Sequence, residues 1–486
     1  MDRMALAAPS RLATFAGSEM VGMGGTAADA AIAMALIAMC TEPGVCAPGA
    51  GGYVTVDAGD DAPVVVDGYM AVPGIGFEGE AISTRVSMAY GGGVTTDVGP
   101  GSIAVPGSFA ALGLVSERYG KIPWKELLGL VADLVGGGFP LSQACRTYLV
   151  DSGKLIFDKD PATRSALFDG DRLKEVGELV VFEGMGDTLR QIGEEGSSTF
   201  YQGDLGASIV ADLAARGSSL TREDLASYRT EVRRPLELMV SGWQIVSNPP
   251  PAIGGIAVLG AVQKMVKSAD PLDPEVWLAS MAEVLGLRDE FENGGATQSG
   301  IGVFLERVGL RAPSTITVSA VDSEGIAVAA TFSAGYGSGV VPAGTGLLMN
   351  NSVGEIELIP GGAGSLFPGQ RMMSNMAPTT ARAGNNVISI GSPGADRITS
   401  ALAITLVRFL CSGDTLSAAI EHPRLHPESL EPLGIAAEMG LDLQRDDIRW
   451  YAERHMYFGG VNAAGLVANT LVAHADSRRV GSAVVV

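Results

Sequence analysis

The chain has 486 residues, with 33 Lys+Arg against 54 Asp+Glu and a formal net charge of −21. Such a charge repels nucleic acid and anionic membrane surfaces, so neither is expected as a partner. The 66 glycines and only 18% charged residues point to a compact globular protein with many tight turns.

The opening stretch, MDRMALAAPSRLATFAG, lacks the basic start, apolar core and cleavage site of an export signal, so a cytoplasmic protein is expected. Two apolar runs, Ala27 to Cys40 and Ala401 to Cys411, fall short of the ~20 residues a bilayer span needs and read as buried helices. Between them, Ala110 to Arg118 and Ser208 to Ala215 read as helices, and Tyr53 to Val56 and Val64 to Asp67 as short strands. Cys40, Cys46, Cys145 and Cys411 form no CxxC pair and no regular framework, so buried free thiols are expected rather than zinc or disulfides. No cluster has metal-ligand spacing, and no metal or other cofactor is expected.

The clearest boundary falls between Asn293 and Ser314, where NGGATQSG and RAPS bracket a short apolar piece, GVFLERVG; an exposed, flexible segment is expected there. Strict alternation follows: Thr315, Thr317, Ser319 and Val321 on one face, and Ile316, Val318 and Ala320 on the other. This reads as a half-buried strand. The turn Asp322 to Gly325 leads to a second strand, Ile326 to Ser333; with Gly325 left-handed, the hairpin sets Thr315 opposite Ser333.

Read together, several blocks resemble the gamma-glutamyltransferase family of N-terminal-nucleophile (Ntn) hydrolases, in the family's order and across nearly the whole chain. They include GGTAADAAIAMALIAMCTEPGVCAPGAGGYVTV, VPGSFAALGLVSERYGKIPW, LTREDLASYRTEVRRPL and NPPPAIGGIAVL. The second half continues with STITVSAVDSEGIAVAATFSAGYGSGVV, GTGLLMNN, MSNMAPTT, GSPGADRI and FGGVNAAGLV. The resemblance implies an α/β (α+β) fold, a four-layer αββα sandwich of the Ntn-hydrolase type. It also implies autoproteolysis of a precursor between Ser314 and Thr315. Residues 1–314 would form a large subunit and 315–486 a small catalytic one, together one structural unit.

In such chemistry one residue supplies both the hydroxyl nucleophile and, once the preceding peptide bond breaks, a free α-amine as base. No histidine is needed, and His422, His426, His455 and His474 are expected to be structural. The family's nucleophile block places the catalytic threonine at Thr315, with Ser314 and Thr317 as fallbacks. The activating hydroxyl corresponds to Ser333, and the oxyanion hole to the N–H groups of Gly394 and Ala395. The second glycine of that pair is alanine here, which keeps the donor but makes an unusual backbone angle harder to hold.

Substrate-binding positions depart most from the family. Tyr69, in VVVDGYMAVP, stands where a carboxylate-binding arginine is expected, and losing such a pair costs about 2 to 5 kcal/mol. Glu355 replaces an aspartate, Gly335 an asparagine, and Ser374 with Asn375 a serine pair. The segment between Gly255 and Thr315 is also short for the family, so the rim of the cleft is expected to differ. The expected activity is hydrolysis or transfer of a non-standard acyl group, by amide or C–C bond cleavage, as in antibiotic-type natural-product biosynthesis. Two alternatives remain open: a true gamma-glutamyl hydrolase or transpeptidase, in which Arg371 or Arg397 replaces the missing cation, and an unprocessed pseudoenzyme that only binds. Expected partners are a small-molecule substrate and the chain's own two fragments, with dimerisation of processed units left open.

Overall fold

A computed structural model describes residues 3–89, 93–293, 315–355, 359, 365–430 and 432–486, with backbone only for 287–293. Two principal sheets organise it. In chain order their strands begin with β1 (Met4–Ala8), β2 (Gly51–Asp57), β3 (Val64–Gly68), β4 (Glu231–Arg233), β5 (Leu236–Val240), β6 (Trp243–Ser247) and β7 (Thr315–Asp322). They continue with β8 (Ala327–Ser333), β9 (Thr379–Ala383), β10 (Asn386–Gly391), β11 (Asn462–Val467), β12 (Thr470–Ala475) and β13 (Ser482–Val485). The first sheet runs β4-β3-β2-β8-β7-β1-β13 and the second β5-β6-β9-β10-β11-β12, with neighbours antiparallel throughout.

Helices α1 (Arg11–Gly22), α2 (Ala27–Thr41) and α3 (Ser108–Tyr119) cover the outer face of the first sheet; the start of α4 (Gln143–Ser152) meets Glu42 at the C-terminal end of α2. Helices α5 (Gly254–Lys267), α6 (Pro274–Asn293) and α7 (Arg397–Val407) form the layer beyond the second sheet. The inner faces meet where β7 and β8 oppose β10 and β11, which completes the αββα sandwich. Among the described residues no helix is long and apolar enough to cross a membrane.

Every residue of α2 is buried, as its all-round apolar surface requires, and a capping box of Thr26 and Asp29 starts it. The second apolar run forms α7 and then widens into a π-turn over Arg408–Ser412, so Cys411 is half-buried rather than buried.

Strand β7 corrects the expectation of half burial: all eight of its residues are buried. Ile316, Val318 and Ala320 pack into the apolar cluster beneath α2. The hydroxyl face is not exposed but turned toward the second sheet, where Ser319 Oγ donates to the Asn462 carbonyl at 3.0 Å. The sheets come so close that a Cβ on Gly391 would stand 2.0 Å from Thr317 Oγ1. Alternation of hydroxyl and aliphatic residues therefore marks two kinds of buried neighbour, with short hydrogen-bonding side chains filling the narrow inter-sheet space.

Candidate active site

Thr315 is the first residue of β7, 3% exposed, and its cross-strand partner is Ser333. The hairpin that sets this register closes through Gly325 at φ +86° and through the Asp322 carboxylate, which accepts from the Glu324 and Ile326 N–H groups at 3.1 and 2.9 Å. At the other end, Ser333 Oγ accepts the Gly335 N–H at 3.2 Å. The fallback Thr317 is engaged between the sheets, its Oγ1 lying 3.2 Å from Thr331 Oγ1 and 3.3 Å from the Ala330 carbonyl. Ser314, and with it the expected boundary segment up to β7, lies outside the described residues.

Beyond β10 the chain turns through Pro393, which lines the same small cavity as Thr315, into Gly394 and Ala395. Gly394 has φ +126° and Ala395 φ +54°, the left-handed conformation that costs an alanine free energy. Their carbonyls accept from the Arg397 and Ile398 N–H groups, while their own N–H groups donate to no group among the described residues. Asp396 fixes this corner: its carboxylate accepts the Arg397 N–H at 3.0 Å and Arg397 Nη1 at 2.6 Å, and joins His426 Nε2 at 2.9 Å. His426 Nδ1 in turn meets Ser400 Oγ at 2.6 Å, so this histidine braces the corner from behind.

The positions expected to bind the acyl group converge. Tyr69, buried just after β3, stacks on Tyr53 with centroids 5.5 Å apart, and Ser374 and Ser352 are near enough to its hydroxyl to influence its ionisation. Burial, and after it the Glu355 charge, raises the Tyr69 pKa well above its ordinary value. Glu355 is fully buried and accepts from Ser352 Oγ at 2.8 Å. Gly335, at φ +63°, leaves room for that carboxylate. Asn375 follows Ser374 and is also buried, with its carbonyl packed against Gly254.

Both candidate replacement cations are committed elsewhere. Arg371 donates to the Tyr69 carbonyl and, at 2.7 Å, to the Arg229 carbonyl, stands 3.5 Å from Asp67 and lies over the Tyr228 ring. Arg397 is held by Asp396, by the Tyr457 carbonyl at 3.3 Å and by the Tyr457 ring.

Three contributors escaped the sequence reading. Ser352 stands three residues before Glu355, a spacing that lets one turn join them and that was a usable signal. Glu42, an acid closing an otherwise apolar helix, lines the Thr315 cavity. His426 carried no sequence signal, because its partner Asp396 comes from 30 residues away.

The family profile described as gamma-glutamyltranspeptidase matches residues 13–285 and 296–486. The chain belongs to the gamma-glutamyltranspeptidase family, whose members are hydrolases and acyltransferases of the Ntn type. It is 26% identical to a glutathione hydrolase proenzyme of Pseudomonas sp. (strain A14), over 86% of this chain and 80% of that protein. It is equally 26% identical to the acylase ACY 1 proenzyme of Pseudomonas sp. (strain SE83), over 86% and 81%. The crystal structure of cephalosporin acylase from Bacillus halodurans superposes with a TM-score of 0.82 at 22% identity, covering 99% of this chain and 96% of that one, a likeness of fold.

Proposed function

We propose that the chain is a precursor that cuts itself before Thr315, into residues 1–314 and 315–486, and then uses Thr315 to hydrolyse or transfer an acyl group that lacks the glutamyl α-carboxylate. The observation that carries this reading is the convergence of Tyr69, Ser352, Ser374 and Glu355 into one buried group near the open end of the β7–β8 hairpin; by the family resemblance Tyr69 stands where an arginine is expected. Buried charge on a substrate must be matched or its desolvation opposes binding, and this group offers hydroxyls and an acid where a guanidinium would be needed.

In turnover the freed Thr315 amine would take the Oγ proton, Oγ would attack the acyl carbonyl, and the Gly394 and Ala395 N–H groups would hold the developing oxyanion. Ser333, directly across the strand, would keep Oγ oriented. The relatives named proenzymes support the self-cleavage step. The bond cut is an amide or a C–C bond adjacent to a carbonyl, in a biosynthetic setting; four cysteines in no disulfide suit a reducing cytoplasm.

The test is a donor profile. Anilides of acyl groups without an α-carboxylate should be cleaved in preference to gamma-glutamyl anilide. Gamma-glutamyl anilide turnover at about 10⁴ M⁻¹s⁻¹ or more would contradict the reading, since another residue would then be supplying the missing charge.

A further inference from the structure

Self-processing poses a problem that turnover does not. Before the chain is cut the Thr315 nitrogen is an amide, so the amine that would later act as base does not exist, and a different group must accept the Oγ proton. Thr315 borders a small cavity with room for water. Among the described residues, the titratable residues that line it are Glu42, Asp476 and Arg479.

Asp476 is already engaged. Its carboxylate accepts the Val461 N–H at 2.9 Å and pairs with Arg424 at 2.7 Å and Arg478 at 3.1 Å; burial works against it, but these arginines keep its pKa below the ordinary value. Arg479 has no proton-accepting capacity at ordinary pH. Glu42, at the C-terminal end of α2 and 3% exposed, has among the described residues neutral donors on its carboxylate, Ser142 Oγ at 2.6 Å and Cys145 Sγ at 3.0 Å, both presented from the start of α4. Burial raises its pKa from the ordinary 4.5, which makes the carboxylate a stronger base. Its thiol neighbours stay neutral, since burial pushes Cys46 to about 12 and Cys145 well above its usual value.

We propose that Glu42 is the proton acceptor for self-processing, acting on Thr315 through one water held in this cavity. The inference rests on the reading of Thr315 as the nucleophile of self-cleavage. The Oγ proton passes through the water to the Glu42 carboxylate as Oγ attacks the Ser314 carbonyl carbon. Collapse of the adduct breaks the Ser314–Thr315 C–N bond, and the proton returns through the same water to the departing nitrogen. The product is an ester of Ser314 on Thr315 Oγ with a free amine; a second water hydrolyses the ester to the Ser314 carboxylate and the Thr315 hydroxyl.

The experiment follows cleavage of freshly translated, pulse-labelled full chain across acid-to-neutral buffers. Wild type should cleave faster as pH rises through the Glu42 titration. Glu42→Gln should slow cleavage about 100-fold or more and flatten that profile while the variant keeps wild-type circular dichroism. Cys145→Ala, which removes a donor that stabilises the carboxylate, should move the midpoint to higher pH, and decides the matter should Glu42→Gln not fold. Wild-type-like cleavage by Glu42→Gln, a pH-independent wild-type rate, or an unmoved midpoint in Cys145→Ala would overturn the proposal. Wild type that never cleaves, or cleaves at another bond, overturns the nucleophile assignment itself and this inference with it.

Discussion

The carboxylate of Glu355 stands against the bare backbone of Gly335: a Cβ built there would lie 2.6 Å from Glu355 Oε1 and 2.4 Å from Asn351 Oδ1. The acid and the glycine therefore share one space. A Gly335→Ala substitution should lower stability by about 1 to 3 kcal/mol, from overpacking and from its φ of +63°. Adding Glu355→Ala should recover part of that loss. Additive effects in a denaturant-melt double-mutant cycle would show that the two positions do not share space.

On the proposed reading, Tyr69 sets the sign of the pocket. Tyr69→Arg should raise kcat/KM for gamma-glutamyl anilide and lower it for the native donor, a change in relative transition-state binding. Because the Glu355 charge acts at this position, Tyr69→Arg with Glu355→Asp should gain more than Tyr69→Arg alone. If both variants still self-process yet neither gains on gamma-glutamyl anilide, Tyr69 is not the specificity determinant.

At the expected oxyanion hole, Ala395 holds φ +54°. Ala395→Gly keeps the N–H and removes the left-handed penalty, so it should be neutral or stabilising, by up to about 1 kcal/mol once glycine's greater unfolded-state freedom is subtracted. A thermal melt displaced downward by several degrees would show that the alanine methyl makes a contact worth more than the strain.

Acid sensitivity has an identifiable source in His422, where burial lowers the pKa from 6.5 to about 4. The unfolded chain then binds more protons than the folded one between these values, so stability rises with pH across that window and is lost as pH falls through it. Urea midpoints measured from pH 6.5 down to pH 4 should fall, and His422→Gln should reduce that fall. An equally steep fall in the variant would assign it to other groups, Glu421 among them, whose pKa is lowered to about 2 by its bonds to His474 and Ser477 despite burial.

Local chemistry made the hairpin legible. The turn Asp322 to Gly325 and the alternation after Thr315 imply a register with Ser333, and the structure has that register. The acyl-pocket positions were legible only through family blocks, because Tyr69, Glu355 and Ser374 are brought together by the crossing of distant segments. What sequence pattern misjudged was exposure. Thr317 and Ser319 look like a solvent face until the second sheet, whose opposing strands β10 and β11 begin only at Asn386 and Asn462, is laid against them. Glu42 was hidden for the same reason, since its partners Ser142 and Cys145 lie about 100 residues away on α4.

The most direct test of the central claim is the intact mass and N-terminal sequence of the purified protein. Wild type should separate under denaturing conditions into residues 1–314 and 315–486, the smaller piece beginning at Thr315, while Thr315→Ala stays a single chain. A wild-type small fragment beginning at Ser314 or Thr317, or a Thr315→Ala variant that still cleaves at this junction, would contradict it.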